Sequence, residues 1–217
     1  MNFEQARFNM VEQQVRPWDV LDADVLTVMS EVPRENFVPA AYKNTAYTDY
    51  AVPIGNNQEM LKPVLAGRLL QALQLQPDEI VLEIGTGTGY LTACLAKLAS
   101  YVYSVDINAD FIPEAQKNLT SLGIDNVTLQ MGDASKGWAE RPQYDAIVIT
   151  GSMPEVPQAY KDSLEIGGRL FVVSGQSPAM HAKLITRVSS SNWSEENILE
   201  TDLPALENSQ PEPEFSF

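Results

Sequence analysis

The pattern of apolar and polar positions changes once along the chain, near residue 60. Before that point helical spacing occurs twice, in the stretch with Phe3, Ala6 and Met10 and again in "DADVLTVM". "VPRENFVP" and "TDYAVPIG" are interrupted by proline and predict irregular connections. The sequence therefore predicts a helical and irregular N-terminal extension over residues 1–60.

From Leu61 onward, helical segments alternate with short apolar runs. Leu61, Leu65, Leu69 and Leu73 lie four apart and predict a helix. The predicted strands that follow are "EIVLEIG", "YVYSVDI", "NVTLQM", "YDAIVIT" and "GGRLFVVSG". "AKLITRVS" and "WSEENILET" have no helix between them and predict an antiparallel hairpin. This order predicts an α/β fold over residues 61–217, with a mostly parallel, Rossmann-like sheet of seven strands covered on both faces.

Composition and charge narrow the possible partners. The 217 residues include 29 acidic and 14 basic side chains, a formal net charge of −15, which disfavours nucleic acid as a partner. Seven acidic residues and no basic residue follow Arg187, an acidic tail to which no specific role is assigned. No apolar stretch is long enough for a membrane span, and the first twenty residues do not resemble a signal peptide. With Cys94 as the single cysteine, we expect a cytoplasmic protein without disulfides, and one cysteine and one histidine predict no metal site.

The stretch "VLEIGTGTGY", residues 81–90, ends a predicted strand in Gly85, Gly87 and Gly89. In an open α/β sheet, ligands bind where such a strand turns into its helix. A triphosphate loop needs Lys-Ser/Thr after the last glycine, whereas Tyr90 stands here. A dinucleotide fingerprint needs its third glycine one position later. Without a ligand, the glycines would simply permit a tight turn.

Acidic residues around this loop indicate a cationic ligand. Glu83 precedes the first glycine by two positions, where a pyrophosphate would be repelled. S-adenosyl-L-methionine carries an ammonium and a sulfonium and no phosphate. Asp106 ends the second strand, where an acid can accept hydrogen bonds from ribose hydroxyls. Asp133 and Ala134 follow the third strand, where an adenine ring could be met. The sequence therefore predicts S-adenosyl-L-methionine as the cofactor.

Several segments together resemble a known family. "VPRENFVP", "AYTDYAVPIG", "VLEIGTGTGYLTACLAKL", "VYSVDI", "LGIDNVTLQMGDASKGW", "YDAIVIT" and "LEIGGRLFVVSG" follow the order and spacing of the protein-L-isoaspartate O-methyltransferases, over about residues 10–175. The resemblance implies a class I methyltransferase fold and methylation of isoaspartyl carboxylates in damaged proteins, whose esters then cyclise to a succinimide. The predicted cofactor-binding residues are Glu83, Gly85, Thr86, Gly87, Thr88, Gly89, Asp106, Ile107, Asp133 and Ala134.

One segment departs from the family pattern. The family reads Ile-Gly-x-Gly-Gln-Thr-Ile-Ser where this chain has "IGNNQEML", so Glu59 replaces a threonine while Gln58 is retained. Gln58 and Glu59 are the candidate catalytic residues, because the resemblance places this segment at the methyl-transfer centre. A carboxylate acceptor 4 Å from Glu59 would cost about 4 kcal/mol at an effective dielectric of 20. Glu59 could instead act as a base, steady the sulfonium, or be a solvated residue at the start of the Leu61 helix.

Two functions follow from different classes. The first is a methyltransferase that acts on a carboxylate of a protein or peptide substrate. Such an acceptor, with a pKa near 4, is already ionised at neutral pH and needs no general base. The second is a cofactor-binding protein with another acceptor or with no catalytic activity. Because of Glu59, we expect weak or no methylation of isoaspartyl peptides.

Overall fold

The computed structural model describes residues 1–210, so Glu212 and Glu214 of the predicted acidic tail lie outside it. The α-helices within this range are α1 (Phe3–Met10), α2 (Ala23–Glu31), α3 (Pro63–Leu73), α4 (Tyr90–Leu98), α5 (Phe111–Ser121) and α6 (Gln158–Asp162). The strands are β1 (Val52–Gly55), β2 (Gln58–Met60), β3 (Ile80–Ile84), β4 (Tyr101–Asp106), β5 (Val127–Met131), β6 (Tyr144–Met153), β7 (Leu164–Gln176), β8 (Ala179–Ser189) and β9 (Asn192–Thr201). None of the helices within residues 1–210 is long and apolar enough to cross a membrane.

The main sheet has seven strands in the order β5-β4-β3-β6-β7-β8-β9. The pairs from β5 to β7 are parallel, whereas β8 runs antiparallel to both β7 and β9. The predicted mostly parallel sheet with a C-terminal antiparallel hairpin is confirmed. Because β4 and β5 lie on one side of β3 and β6 on the other, the strand order reverses at β3. Open α/β sheets bind ligands at this kind of reversal.

Side chains of β3 alternate between the two faces of the sheet. Val81 packs in a core cluster with α3, α4 and the N-terminal helices, whereas Leu82 and Ile84 pack in the cluster that contains α6. All three are at most 2% exposed. Apart from Glu83, the residues of this doubly covered strand are all apolar, so its sequence does not show which of them face which helix layer. Each such aliphatic side chain contributes roughly 1.5–3 kcal/mol by its burial.

The N-terminal residues pack on the face of the sheet that carries α3 and α4. Met10, Val15 and Met29 are fully buried, and they belong to the same core cluster as Leu69 and Cys94. After α1 the chain continues in a π-helical turn over Val11–Val15. The N-terminal stretch is thus helical and shares its core with the sheet. The predicted boundary at residue 60 stays a prediction.

A small hairpin, formed by β1 and β2, lies in a stretch that the sequence predicted to be irregular. The strands pair antiparallel, with Pro53 opposite Glu59. Asn56 and Asn57 make the turn with φ of 50° and 55°, a left-handed conformation that asparagine tolerates. The predicted helix start at Leu61 is wrong, because α3 begins at Pro63, whose fixed φ suits a first helical position. Glu59 therefore belongs to a strand and not to a helix start.

Candidate functional site

A cavity of about 270 Å³ lies at the carboxyl ends of β3, β4 and β6. The hairpin of β1 and β2 forms one wall, and residues 201–207 form another. The sequence-predicted residues that line it are Gln58, Glu59, Gly85, Gly87, Asp106, Ile107, Asp133 and Ala134. Segments distant in sequence thus meet at the edge where the strand order reverses.

The glycine loop lies directly against β6. Gly85 has φ of +96°, and a Cβ on it would lie 2.0 Å from Thr150 Oγ1. Its N–H donates to Val105 O at 2.8 Å, while Thr150 Oγ1 donates to Ile84 O at 2.9 Å. Only glycine fits this position, and the loop leaves its backbone open to a ligand in the cavity.

Asp106 ends β4 and is held by two backbone donors. Its carboxylate accepts from Gly87 N and from Asn108 N, both at 2.8 Å. Burial raises the pKa of Asp106, and these two hydrogen bonds oppose that shift. The carboxylate is therefore oriented before any ligand arrives, as expected for a group that accepts hydrogen bonds from a ribose.

Asp133 lies at the exposed rim of the same cavity. Its Oδ1 accepts from Ser135 N and its Oδ2 from Asn208 Nδ2, each at 2.9 Å. The backbone hydrogen bond from Ser135 lowers the pKa of Asp133. Ala134 beside it is 5% exposed, and its carbonyl accepts a hydrogen bond from Tyr160. An ionised acid and a small apolar residue thus stand together after β5.

Four of the predicted cofactor residues, Glu83, Thr86, Thr88 and Gly89, are not among the residues that line the cavity. Glu83 is fully buried on the α4 face of β3, where its Oε2 accepts from Thr92 Oγ1 at 2.5 Å and Ser104 Oγ at 2.6 Å. Burial raises the pKa of Glu83 to about 8, so the side chain is mostly neutral at pH 7. Thr86 Oγ1 lies 2.6 Å from the same serine hydroxyl. Glu83 and Thr86 thus share a buried hydrogen-bond network with Ser104, and direct contact of the four predicted residues with a cofactor stays a prediction.

The hairpin presents polar side chains to the cavity. Glu59 is exposed, and within residues 1–210 its side chain makes no hydrogen bond or ion pair. Lys62 lines the same wall, two residues beyond β2. Gln58 Nε2 donates to Glu207 Oε1 at 2.8 Å. Catalytic roles for Gln58 and Glu59 stay predictions.

Sequence reasoning missed several residues of the cavity. Lys62, Asn108 and Thr150 line it, as do residues 201–207. Asn108 stands two positions after Asp106, so its position next to a strand-end acid was a usable signal. The C-terminal residues carry no motif and no periodicity, and only the folded chain brings them to the cavity.

Neither a metal-binding cluster nor a reactive cysteine is found among the described residues. Within residues 1–210 no group of three or more His, Cys, Asp and Glu side chains is placed to hold a metal. Cys94 is fully buried, and burial raises its pKa to about 12. A thiol in this state is not a nucleophile at neutral pH.

The sheet order, the glycine loop at its reversal and the strand-end acids around one cavity define a class I methyltransferase. The family model described as Protein-L-isoaspartate(D-aspartate) O-methyltransferase (PCMT) matches residues 6–202. The chain belongs to this family. A protein-L-isoaspartate O-methyltransferase of Synechococcus sp. is 41% identical over 177 residues, which cover 82% of this chain and 72% of that protein. Another, from Syntrophobacter fumaroxidans, is 39% identical over 85% of this chain and 86% of its own length.

Solved structures share the fold. A protein-L-isoaspartate O-methyltransferase superposes with a TM-score of 0.81 at 26% identity, covering 94% of this chain and 66% of that one. A Plasmodium falciparum protein solved in complex with S-adenosyl-L-homocysteine gives a TM-score of 0.78 at 21% identity, covering 95% of this chain and 99% of that one. The predicted Rossmann-like class I methyltransferase fold is confirmed.

Proposed function

We propose that this protein transfers the methyl group of S-adenosyl-L-methionine to the carboxylate of isoaspartyl residues in damaged proteins or peptides. This proposal rests mainly on one cavity, which is lined by the glycine loop, Asp106 and Asp133 and by a wall formed by the β1–β2 hairpin. The first group of residues suits the donor, and the hairpin wall is left for the acceptor. Family membership supports the same reaction.

The chemistry of the cavity fits this cofactor better than a phosphate-bearing one. Asp106 is placed to accept from the ribose hydroxyls, and Asp133 with Ala134 to meet the adenine. Gly85 lines the cavity with backbone atoms alone, because a side chain there would collide with Thr150. Among the described residues that line the cavity, Lys62 is the sole basic one. A pyrophosphate would therefore meet mainly acidic side chains. When bound, the donor supplies an electrophilic methyl group on a sulfonium.

The exposure of Glu59 decides whether an anionic acceptor is tolerated. An exposed carboxylate interacts through water, so two charges 4 Å apart repel by about 1 kcal/mol and not by the roughly 4 kcal/mol of a partly buried pair. Lys62 on the same wall offers the opposite charge. The expected exclusion of isoaspartyl carboxylates by Glu59 therefore does not follow from its position.

The reaction needs alignment and no proton transfer. An oxygen of the ionised acceptor carboxylate attacks the methyl carbon, and the carbon–sulfur bond breaks with its electron pair going to the sulfur. A neutral thioether leaves, and a methyl ester is formed. Holding the two reactants in line supplies several kcal/mol of the barrier. Hydrogen bonds fix the carboxylate of Asp106 and the glycine loop, and this rigid framework supports that alignment.

An assay with methyl-labelled donor tests this function. The purified chain should form base-labile methyl ester on an isoaspartyl peptide and none on the same peptide with a normal aspartyl bond. We expect Glu59→Gln to raise kcat/KM for the isoaspartyl peptide about five-fold, since removing roughly 1 kcal/mol of repulsion has that effect. Glu165→Gln removes an exposed carboxyl on β7 outside the cavity and is the matched control.

The outcomes separate the alternatives. Binding of S-adenosyl-L-homocysteine in calorimetry, with no label on any acceptor, would favour a cofactor-binding protein without catalysis. Label on proteins of a cell extract but not on the isoaspartyl peptide would favour another acceptor.

We further propose a cytoplasmic location, which the single buried thiol of Cys94 supports. We also propose protein or peptide substrates in preference to nucleic acid, which the net charge of −15 supports.

A further inference from the structure

The chain after β9 returns to the cavity as an ordered segment, residues 203–209, here named the C-terminal strap. Ser152, which is 1% exposed near the end of β6, anchors it. Ser152 N donates to Pro204 O at 2.8 Å, and Leu206 N donates to Ser152 O at 2.8 Å. Ser152 Oγ also donates to Leu203 O at 2.7 Å. The strap is thus fixed by backbone hydrogen bonds along the wall of the cavity.

Close approach of the strap depends on Gly151. A Cβ at this position would lie 2.8 Å from both the Cα and the N of Leu206. Those are backbone atoms, so any larger residue would displace the strap. The strap therefore lies in direct backbone contact with the β6 wall of the cavity.

Glu207 of the strap joins two sides of the cavity through one oxygen. Its Oε1 accepts from Gln58 Nε2 at 2.8 Å and from Asn108 Nδ2 at 3.2 Å. Gln58 begins β2 and belongs to the hairpin on the acceptor side. Asn108 also holds Asp106 through its own backbone N–H, on the donor side. The carboxylate of Glu207 therefore links the hairpin to the loop that orients the ribose-binding acid.

The next residue makes a third contact. Asn208 Nδ2 donates to Asp133 Oδ2 at 2.9 Å, so the strap reaches the segments after β4 and β5 as well as the hairpin. The negative charge of Glu207 does not stabilise this arrangement. Burial raises the pKa of Asp106, and the nearby charge of Glu207 raises it further, so the two acids repel. What the position of Glu207 provides is an acceptor oxygen between two side-chain amides.

We propose that Glu207 is a positioning residue that acts through Gln58, holding the hairpin against the donor loop so that an acceptor is aligned with the bound cofactor. The proposal rests on the proposed function for its consequence in catalysis. Its structural part, a hairpin held in place by Glu207, does not depend on which acceptor is used.

The test compares Glu207→Ala, which removes the acceptor oxygen, with Glu207→Gln, which keeps it. Glu196→Ala is the control, because it removes an exposed carboxyl on β9 that does not line the cavity. The first measurement is hydrogen exchange of residues 52–60 in the full chain saturated with S-adenosyl-L-homocysteine. The second is kcat and KM for an isoaspartyl peptide at saturating donor.

We expect Glu207→Ala to speed exchange of the hairpin and to lower kcat, each about three- to ten-fold, the range that loss of the hydrogen bond to Gln58 gives. Glu207→Gln and Glu196→Ala should stay within about two-fold of the wild type. If Glu207→Ala lowers kcat and Glu207→Gln restores it, the loss comes from the missing acceptor oxygen and not from the missing charge. Hairpin exchange in Glu207→Ala equal to that of the wild type, or equal loss in both Glu207 variants, would overturn the proposal. If the wild-type chain does not methylate the peptide, the proposed function fails, and hydrogen exchange still decides the role of Glu207.

Discussion

Glu83 shows how a strand decides the environment of one carboxyl group. Its position two residues before the glycine loop predicted a charge at the mouth of the site. Strand alternation instead turns it to the same face as Val81, against Thr92 of α4. Buried there, the acid has a pKa near 8, whereas its ordinary value is 4.5. Since the other residues of β3 are apolar and both faces of the sheet are covered, the sequence does not show which face Glu83 meets.

This pKa predicts a pH-dependent stability. A carboxyl with a raised pKa in the folded state contributes stability that is fully present below the ordinary value of 4.5 and is lost as the pH rises through about 8. Glu83→Gln keeps the neutral form at every pH. We expect the free energy of unfolding of the wild type to fall relative to that of Glu83→Gln by about 1.4 kcal/mol per pH unit between about pH 5 and 8. Urea unfolding across this range measures it, and parallel profiles of the two proteins would contradict a neutral Glu83.

Arg34 connects three parts of the N-terminal half of the chain. It is fully buried; its Nε donates to Ala46 O at 2.8 Å and its Nη2 to Leu61 O at 2.6 Å. The guanidinium also lies 4.7 Å from the ring centroid of Tyr90, the first residue of α4. One side chain thus ties the exit of the β1–β2 hairpin to the helix that follows the glycine loop.

Removing this connection should destabilise the fold. Arg34→Met fills similar space but leaves the carbonyls of Ala46 and Leu61 without their donor, and we expect the free energy of unfolding to fall by about 2–4 kcal/mol. Arg16→Met is the control, because Arg16 is 47% exposed and pairs with Glu12 one helical turn away, a contact that contributes about 0.3–0.5 kcal/mol. Urea unfolding of both variants at one pH gives the comparison. Equal losses in the two variants would show that the buried contacts of Arg34 contribute little.

The predictability of each secondary-structure element follows the length of its pattern. The strands of the main sheet and α3 to α5 carry enough apolar positions to be recognised from the sequence. The β1–β2 hairpin has strands of four and three residues, one of them with Pro53, too short for alternation to show. Its turn signal, Asn56-Asn57, was present in the sequence, since both residues tolerate positive φ. The C-terminal strap has no periodicity at all, because backbone contacts with Ser152 and not an apolar face hold it.

The acidity of the chain also acquires a location. The residues after Arg187 were interpreted from composition as an acidic tail without a role, yet Asp202 and Glu207 line the cavity. Together with Glu59 they place negative charge around the opening, and Lys62 is the sole described base on the lining. Composition predicts the sign of this charge. Its position at the cavity follows only from the fold, which brings residues 203–209 back to β6.

This charge distribution predicts a salt-dependent choice among substrates. A net charge of −15 attracts cationic peptides and repels anionic ones, and salt screens both effects over about 10 Å at 0.1 M. We therefore expect added sodium chloride to raise KM for an isoaspartyl peptide flanked by lysines and to lower KM for one flanked by glutamates. Because the field acts on encounter and not on the bond that is broken, kcat should stay constant for both. A capped peptide with neutral flanks, charged only at its isoaspartyl carboxylate, is the control, and its KM should change least. The same salt response for all three peptides would mean that the negative surface does not reach the acceptor during binding.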